Sequence, residues 1–396
     1  MSHKPMSCSP DLKCLRDEGY DLEIRSGYLL VKDVPYVNSS KEVKFGMLVS
    51  KLILAGDVTA RPDDHVAYFE GDYPCREDGK EIHQIKNQSS KRALADDVVI
   101  DHMFSAKPQP TGYYEDYYAK VTTYAAILSG PAQVIDPKVT AKTFPVIEPG
   151  NEDEETVFNY IDTASSRAEI NLVTEKLALG KIAIVGLGGT GSYVLDLVAK
   201  TPVKEIHLFD GDTFLQHNAF RSPGAPSIDE LKAKPQKTDY FKNLYSKMHR
   251  GIVNHEAYVS QVNVEELKNM DFVFLCADRG TAKKLIVEKL EEFDLPFVDV
   301  GMGVTLTDDA LGGILRVTTS TPKHRNHVRA RVSFSDGDGH NEYENDIQIA
   351  DLNALNAALA VITWKKLFGF YRDLECEHHS TYTIDGNVLT NEDRRP

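Results

Sequence analysis

A glycine-rich turn placed directly after an apolar run constrains this chain more than any other feature. Residues 181–192 read KIAIVGLGGTGS, which predicts a strand, a tight turn and then a helix. Gly186 permits the turn, and Gly191 allows the helix to pack closely on the strand. Gly188 and Gly189 leave room for backbone N–H groups to approach a phosphate, and the helix N-terminus adds partial positive charge. The motif therefore predicts a nucleotide site.

Apolar strands alternate with helices around this turn. This alternation predicts an α/β fold, a Rossmann-like, doubly wound and mostly parallel sheet covered on both faces. Ligands of such sheets bind at the carboxyl ends of the strands. The predicted strands are Lys181–Val185, Glu205–Phe209, Ala257–Val262, Phe272–Cys276 and Phe297–Val300, and the predicted helices include Ser192–Ala199, Gln236–Ser246 and Thr281–Glu292.

A smaller domain precedes the alternating region. Residues 144–156 read FPVIEPGNEDEET, which is typical of a linker or exposed loop, so we place the domain boundary near Pro149. Residues 1–148 then form a small α+β domain, and residues 149–396 form the nucleotide-binding domain. The predicted elements of the first domain are strands at Tyr28–Val31, Val43–Leu54 and His65–Phe69, with helices at Pro10–Glu18 and around Tyr113–Leu128.

Charge and cysteine content exclude several classes of protein. The net charge of −15 argues against a general binder of nucleic acid or of membrane surfaces, because both require basic faces. The five cysteines are odd in number and show no CxxC spacing, so neither a disulfide framework nor a four-thiolate zinc site is expected. No signal peptide or membrane span is expected, and we predict a cytoplasmic protein.

A second cluster of polar residues follows the strand that ends at Phe209. Residues 210–221 read DGDTFLQHNAFR and contain Asp210, Asp212, Asn218 and Arg221. Carboxylates can orient ribose and Mg²⁺, and arginine can neutralise a triphosphate. An NAD(P)-dependent oxidoreductase would share the glycine turn and Asp210, but it also needs a catalytic acid–base pair, which the sequence does not show.

Taken together, these motifs resemble the ThiF/MoeB/ubiquitin-activating family of adenylyltransferases, over about residues 165–371. The resemblance implies that Asp210 holds the ribose hydroxyls and that Asn218 and Arg221 contact the phosphates of ATP. Asp212 belongs to the same nucleotide site. A phosphate-binding lysine is expected a dozen or so residues later; Lys237 is favoured because it opens a helix, whereas gapless spacing favours Lys234.

Two further charged residues are assigned through the same resemblance. Asp278 matches the acid that positions Mg²⁺, and Arg279 replaces the asparagine that usually follows it. Arg167 lies where the family places an arginine that reaches into the partner subunit's site; the alternative is a plain surface arginine. A helix predicted over Asp351–Phe370 is either core or a dimer face, and the family favours a homodimer.

The activity that the resemblance implies is adenylation. The C-terminal carboxylate of a small protein attacks the α-phosphate of ATP, pyrophosphate leaves, and positioning and charge neutralisation carry the step. The implied partner is a ubiquitin-like β-grasp protein that ends in glycine, and the implied cofactors are ATP and Mg²⁺. The alternatives are a non-catalytic nucleotide- or protein-binding relative and the oxidoreductase. The role of the first domain stays open between partner recruitment, receipt of the activated tail and dimer stabilisation.

Some members of the family pass the acyl group to a cysteine. Cys376 lies beside two histidines that would lower its pKa and two glutamates that would raise it. Cys276 falls inside a predicted buried strand, where a small thiol suits packing. The spacing of His65 and Cys75 loosely resembles that of ubiquitin-conjugating enzymes, although the expected flanking residues are missing. Cys376 is therefore the preferred candidate.

Overall fold

The chain divides into two compact units. The computed structural model describes residues 4–149, 156–334 and 347–391. The first unit comprises Met1–Thr156 together with Tyr160–Arg167, and the second comprises Val157–Asn159 together with Ala168–Pro396. Each unit is built around its own hydrophobic clusters.

The first unit is an antiparallel sheet flanked by helices. Its six-stranded sheet has the order β1-β2-β3-β6-β8-β7, and β4 and β5 form a separate two-stranded sheet. The elements are α1 (Lys4–Cys8), α2 (Pro10–Asp17), β1 (Leu22–Arg25), β2 (Tyr28–Val37), β3 (Val43–Lys51), β4 (Leu54–Ala55), β5 (Val58–Thr59), β6 (Val66–Glu70), β7 (Lys86–Ala95), β8 (Val98–Ser105), α3 (Tyr117–Ile135) and α4 (Thr163–Arg167). The predicted α+β arrangement, with strands early and a long helix late, is confirmed.

Helix α3 covers the sheet through a face that its sequence defines. Tyr117, Val121, Tyr124 and Leu128 recur at helical spacing, and all four are buried. The helix begins where the side chain of Asp116 accepts a hydrogen bond of 2.7 Å from the backbone N–H of Ala119. Removing these apolar side chains from water is the main source of stability for this unit.

The second unit contains an eight-stranded sheet of order β11-β10-β9-β12-β13-β14-β15-β16. Its strands are β9 (Lys181–Val185), β10 (Glu205–Phe209), β11 (Ile252–His255), β12 (Phe272–Leu275), β13 (Phe297–Thr307), β14 (Ala310–Ser320), β15 (His379–Thr383) and β16 (Val388–Asn391). Its helices are α5 (Asn171–Thr174), α6 (Gly189–Val198), α7 (Gln216–Ala219), α8 (Ile228–Ala233), α9 (Lys237–Tyr245), α10 (Gly280–Glu292), α11 (Val328–Arg331) and α12 (Ala350–Leu367).

The parallel part of this sheet fixes where loops converge. Strands β11, β10, β9, β12 and β13 pair in parallel, and the register aligns Phe209 with Val185 and Val185 with Leu275. The carboxyl ends of β9, β10 and β12 therefore meet at one edge. Strands β14, β15 and β16 continue the sheet as antiparallel neighbours. The predicted α/β class with a mostly parallel sheet is confirmed.

One predicted strand is wrong. The third strand lies at Ile252–His255 and not at Ala257–Val262, where the chain forms a loop. In that loop Val259 is buried while Tyr258 and Val262 are exposed, so its apolar residues do not share a sheet face. The true strand is short and half polar, and pattern alone does not distinguish it from a loop.

Two other predictions concern the C-terminal third of the chain. The long helix is confirmed as α12, which packs on α6, and residues 351–366 all lie within it. Residues 320–340, expected to form a mobile crossover segment, fall partly outside the described residues, and the described part contains α11. Across residues 4–149, 156–334 and 347–391, every helix is too short or too polar to cross a membrane.

Candidate nucleotide site

The glycine turn joins β9 to α6 with the expected geometry. Gly186 has φ of +91°, a left-handed conformation that L side chains rarely adopt, and a Cβ there would lie 2.9 Å from the backbone carbon of Cys276. Gly188 is the N-cap residue of α6. A Cβ added at Gly188 would meet no atom within 4 Å. The space beside Gly188 is therefore open, as a phosphate cradle at a helix N-terminus requires.

The other two glycines of the turn are required by close packing. A Cβ at Gly191 would lie 1.9 Å from the carbonyl oxygen of Gly186. A Cβ at Gly189 would lie 2.0 Å from the side-chain nitrogen of Asn353, which comes from α12. Gly189 was expected to leave room for a phosphate, but its immediate neighbour is this asparagine. Gly188 is thus the glycine with free space around it.

Asp210 fastens the glycine turn to the end of β10. Its carboxylate accepts hydrogen bonds from the backbone N–H of Leu187 (2.6 Å) and of Asp212 (2.8 Å), and its side chain is 5% exposed. Burial raises the pKa of the Asp210 carboxyl above its ordinary value, although Lys237 and the two backbone donors favour the ionised form. Asp210 therefore fixes the turn and lies within the nucleotide site.

Asp212 and Lys237 form the charged centre of the site. The Lys237 ammonium lies 2.7 Å from one oxygen of Asp212 and 3.6 Å from Asp210. The other oxygen of Asp212 accepts a hydrogen bond from the Tyr258 hydroxyl. Burial raises the pKa of Asp212, but the hydrogen bonds from Lys237 and Tyr258 and the nearby Arg279 outweigh it and hold that pKa below its ordinary value. Asp212 therefore carries a negative charge at neutral pH.

The two candidate lysines lie in different surroundings. Lys237 is the first residue of α9, its side chain is 7% exposed, and it contacts both acids. Lys234 is the C-cap residue of α8, with φ of 48°, and is exposed to solvent. The structure therefore brings Lys237, and not Lys234, into the acid cluster.

Asn218 and Arg221 follow β10 in and after the short helix α7. Asn218 is buried, and its side-chain oxygen accepts a hydrogen bond of 2.8 Å from the backbone N–H of Leu215, which holds the segment in place. Arg221 is partly buried, and among the described residues its Nε has no hydrogen-bond partner. A buried guanidinium nitrogen without an acceptor is costly, so an acceptor such as a phosphate oxygen fits there.

Asp278 and Arg279 lie at the carboxyl end of β12. Both are exposed, and Arg279 is the N-cap residue of α10. Because β12 pairs directly with β9, these residues border the glycine turn on the side opposite to Asp210. The guanidinium carbon of Arg279 lies 5.2 Å from the ring centre of Tyr258. Asp278 thus offers a solvent-exposed carboxylate beside the turn.

Two further residues were assigned to the site from the sequence, Arg167 and Cys376. Arg167 ends α4 in the first unit, is exposed, and places its guanidinium 5.8 Å from the ring centre of Phe144. Cys376 is exposed in the loop before β15, where its backbone contacts Asp373 and His378. Strand β15 is four positions from β9, which corresponds to roughly 19 Å across the sheet. Within one subunit, the structure does not bring Cys376 to the glycine turn.

The other two cysteines considered from the sequence are packed thiols. Cys75 is 1% exposed, and its Sγ donates a hydrogen bond of 3.3 Å to the carbonyl of Tyr73. Burial raises the pKa of the Cys75 thiol, and the negative charge of Glu81 raises it further. Burial also raises the pKa of the Cys276 thiol strongly. Both thiols are therefore held in the protonated, unreactive form.

Sequence reasoning missed Tyr258 and Asn353, which contact residues of this site, and the buried Asn356 one turn further along α12. Asn353 accepts a hydrogen bond of 2.9 Å from the Thr190 hydroxyl and donates one of 3.3 Å to the carbonyl of Arg221. Asn356 donates one of 3.1 Å to the carbonyl of Gly301. Both asparagines are 0% exposed. Their signal was present in the sequence, because two amides one turn apart in an apolar helix require buried partners.

No protein-only metal site accompanies this cluster. Within the described parts of the chain, no three His, Cys, Asp or Glu side chains are grouped to hold a metal ion. Mg²⁺ in nucleotide sites is commonly held by one or two carboxylates plus phosphate oxygens and waters, and Asp278 suits that mode.

Two family models match successive parts of the chain. Residues 162–336 match the ThiF family, and residues 10–163 match a domain of unknown function, DUF6791. No curated protein sequence matches the chain. The ThiF match supports adenylyltransferase-type activity for the second domain.

Several solved structures are similar to this chain at low sequence identity. A crystal structure of E. coli MccB with succinimide is 19% identical, has a TM-score of 0.44 and covers 59% of this chain and 71% of that chain. PaaA is 20% identical, with a TM-score of 0.43 and coverage of 56% and 75%. The microcin biosynthetic enzyme MccB in complex with N-formylated MccA is 18% identical, with a TM-score of 0.45 and coverage of 79% and 97%. By the family matches, the chain contains a ThiF family domain over residues 162–336, which follows a domain of unknown function over residues 10–163.

Proposed function

We propose that the second domain adenylates the C-terminal glycine carboxylate of a ubiquitin-like protein, with ATP as the nucleotide. One observation carries the proposal: the open space at Gly188 lies at the strand edge where Asp210, Asp212 and Lys237 form a single charged cluster. Such a cluster combines acceptors for ribose hydroxyls with donors for phosphate. Membership of this domain in the ThiF family supports the same chemistry.

Each charged residue has a distinct role in this proposal. The N-terminus of α6 and the N–H groups at Gly188 receive the phosphates. Asp210 accepts a ribose hydroxyl, and Lys237 exchanges its contact with Asp212 for a phosphate oxygen. Arg221 supplies a second cation through its unpaired Nε. These residues position ATP and neutralise its charge, so that no side-chain nucleophile is needed.

The proposed reaction needs no reactant other than ATP and the carboxylate of the partner. A carboxylate oxygen of the partner forms a bond to the α-phosphorus, and the bond between that phosphorus and the bridging oxygen to the β-phosphorus breaks. The bridging oxygen keeps the electron pair and leaves as part of pyrophosphate. The product is a mixed anhydride, an acyl-adenylate. Bound Mg²⁺, held by Asp278 and phosphate oxygens, would neutralise charge on the leaving group.

The remaining sequence-based assignments extend this proposal. Arg167 acts in the site of a second subunit, which requires a homodimer; α12 is the helix that we assign to that contact. Cys376 is exposed, and its sulfur attacks the acyl carbon of the adenylate, so that a thioester forms while AMP and the thiol proton leave. Loss of a covalent, thiol-sensitive adduct in a Cys376→Ser variant, with adenylation intact, is the expected result.

The decisive test is ATP–pyrophosphate exchange with a panel of ubiquitin-like proteins that end in glycine. We compare the wild type with Lys237→Ala, Asp278→Ala and the matched control Lys234→Ala. A lost hydrogen bond to a charged group predicts at least a tenfold decrease for Lys237→Ala. Lys234→Ala should stay within twofold of the wild type, because Lys234 is exposed and outside the cluster.

Three outcomes separate the alternatives. Partner-dependent exchange that is lost in Asp278→Ala supports adenylation, and this variant is not expected to affect folding because Asp278 is exposed. ATP binding without exchange for any partner favours a non-catalytic relative. Binding of NAD(P) in preference to ATP would favour the oxidoreductase and overturn the proposal.

A further inference from the structure

Tyr258 occupies an unusual position for an exposed aromatic residue. It follows β11 at the carboxyl edge of the sheet, and its side chain is 47% exposed. Its hydroxyl donates a hydrogen bond to Asp212, and this bond raises the pKa of Tyr258 to about 12, so the hydroxyl remains a donor at neutral pH. A Cβ at Gly211 would lie 2.8 Å from the Tyr258 ring. The glycine between the two acids is therefore explained by this tyrosine.

Arg279 reaches the same ring from the opposite direction. It follows β12, and its guanidinium carbon lies 5.2 Å from the centre of the Tyr258 ring. Strands β11 and β12 are three positions apart, with β10 and β9 between them, a separation of roughly 14 Å. The contact therefore spans the carboxyl ends of β10 and β9. Those two ends carry Asp210 and the glycine turn.

Stability of the fold does not explain this arrangement. The participating side chains are largely exposed, and exposed cation–π contacts and ion pairs contribute little to folding. Yet loops that follow three different strands bring the Tyr258 side chain into contact with both the Asp212 carboxylate and the Arg279 guanidinium. Arg279 is also the residue that replaces the family's usual asparagine. An arginine can stack on an aromatic ring in a way that asparagine cannot.

We propose that Tyr258 is a positioning residue of the nucleotide site, which orients Asp212 through its hydroxyl and Arg279 through its ring. This inference rests on the proposed function, because the oriented groups are those that would face ATP. Asp212 is held between Tyr258 and Lys237. Without the hydroxyl, Asp212 pairs with Lys237 alone and holds it more firmly, so less of the Lys237 charge is available for phosphate. Without the stack, Arg279 loses its fixed direction.

The test uses the full chain and two conservative variants. Tyr258→Phe removes only the hydroxyl, and Arg279→Lys keeps the charge but not the planar stacking group. Both are expected to raise the KM for ATP in pyrophosphate exchange about tenfold, with a smaller effect on kcat. The same change is expected in the Kd for ATP measured by calorimetry without a partner. Tyr371→Phe is the matched control, because Tyr371 is 43% exposed and follows α12 rather than the parallel strands.

The outcomes separate this inference from the proposed function. Wild-type ATP affinity in Tyr258→Phe overturns the inference and leaves adenylation standing. A wild type that neither binds ATP nor catalyses exchange overturns both. Weakened affinity accompanied by a fall of several degrees in Tm would assign Tyr258 a structural role and also overturn the inference. Weakened affinity with unchanged Tm in both variants, and no change in Tyr371→Phe, supports it.

Discussion

A single methyl group at Gly188 should separate nucleotide binding from folding. Gly188 is the N-cap residue of α6 and has a negative φ of −71°, so alanine accepts its conformation. A Cβ there meets no protein atom within 4 Å. The methyl group of Gly188→Ala would instead fill the space in which a phosphate would contact the backbone. We therefore expect a protein that folds normally and binds ATP poorly.

The magnitudes follow from these geometries. Alanine is a poorer N-cap than glycine, a cost below about 1 kcal/mol, and it reduces the entropy of the unfolded chain, a gain of about 0.4–1 kcal/mol. The net change in the free energy of unfolding should therefore be within about 0.5 kcal/mol. Exclusion of a phosphate should weaken ATP binding at least about tenfold, or about 1.4 kcal/mol.

Gly191→Ala is the matched control, because its Cβ would lie 1.9 Å from the carbonyl oxygen of Gly186. Overpacking of this kind costs about 1–3 kcal/mol, so this variant should lose stability in urea unfolding. Both variants are assayed by calorimetric ATP titration and by unfolding. If Gly188→Ala binds ATP as tightly as the wild type does, the phosphates do not lie at the N-terminus of α6. That result would refute the proposed nucleotide position.

Two further predictions concern residues outside the glycine turn. Asn353→Ala removes the buried amide that joins α6 to the loop of Arg221. It should lower the free energy of unfolding in urea by about 1–3 kcal/mol and also weaken ATP binding. Unchanged ATP binding would show that Asn353 does not belong to the site. In the first unit, Lys142 and a tyrosine hydroxyl hold the pKa of Glu18 below its ordinary value. A lowered folded-state pKa means that this stabilisation is present above the unfolded pKa of about 4.3 and is lost as pH falls through the folded pKa. Glu18→Gln should thus lose up to about 1 kcal/mol at pH 7 and almost nothing at pH 2, since the pair is partly exposed; equal losses at both pH values would contradict this ion-pair effect.

Local sequence pattern predicted the elements on which the site is built. Strands Lys181–Val185 and Glu205–Phe209 were predicted with their observed bounds, because continuous apolar runs bounded by turn residues are typical of buried parallel strands. The third strand was placed too late, since Ile252–His255 carries polar residues at the ligand edge. The antiparallel strands β14, β15 and β16 were not predicted, and the pairing of β14 with β15 joins residues more than 60 positions apart, such as Ile314 and Thr383.

The choice between Lys234 and Lys237 shows a similar limit. Spacing counts residues along the chain, whereas a binding site depends on where the chain turns. The left-handed conformation of Lys234 ends α8, and the next helix begins at Lys237. That turn directs one lysine to solvent and the other to the acids. Lys237 was favoured from the sequence because it begins a helix, whereas counting residues without gaps favoured Lys234.

Helix α12 shows why a correct helix prediction can still miss a function. No role was assigned to Asn353 or Asn356 from the sequence, although the helix that contains them was predicted. In the fold both are 0% exposed, and each amide bonds to backbone or hydroxyl groups on other elements. A buried amide is costly unless it is hydrogen-bonded, and both polar atoms of the Asn353 amide have partners on other elements. Because Asn353 contacts both α6 and the carbonyl of Arg221, α12 couples the phosphate turn to the arginine loop, and movement of one should be transmitted to the other.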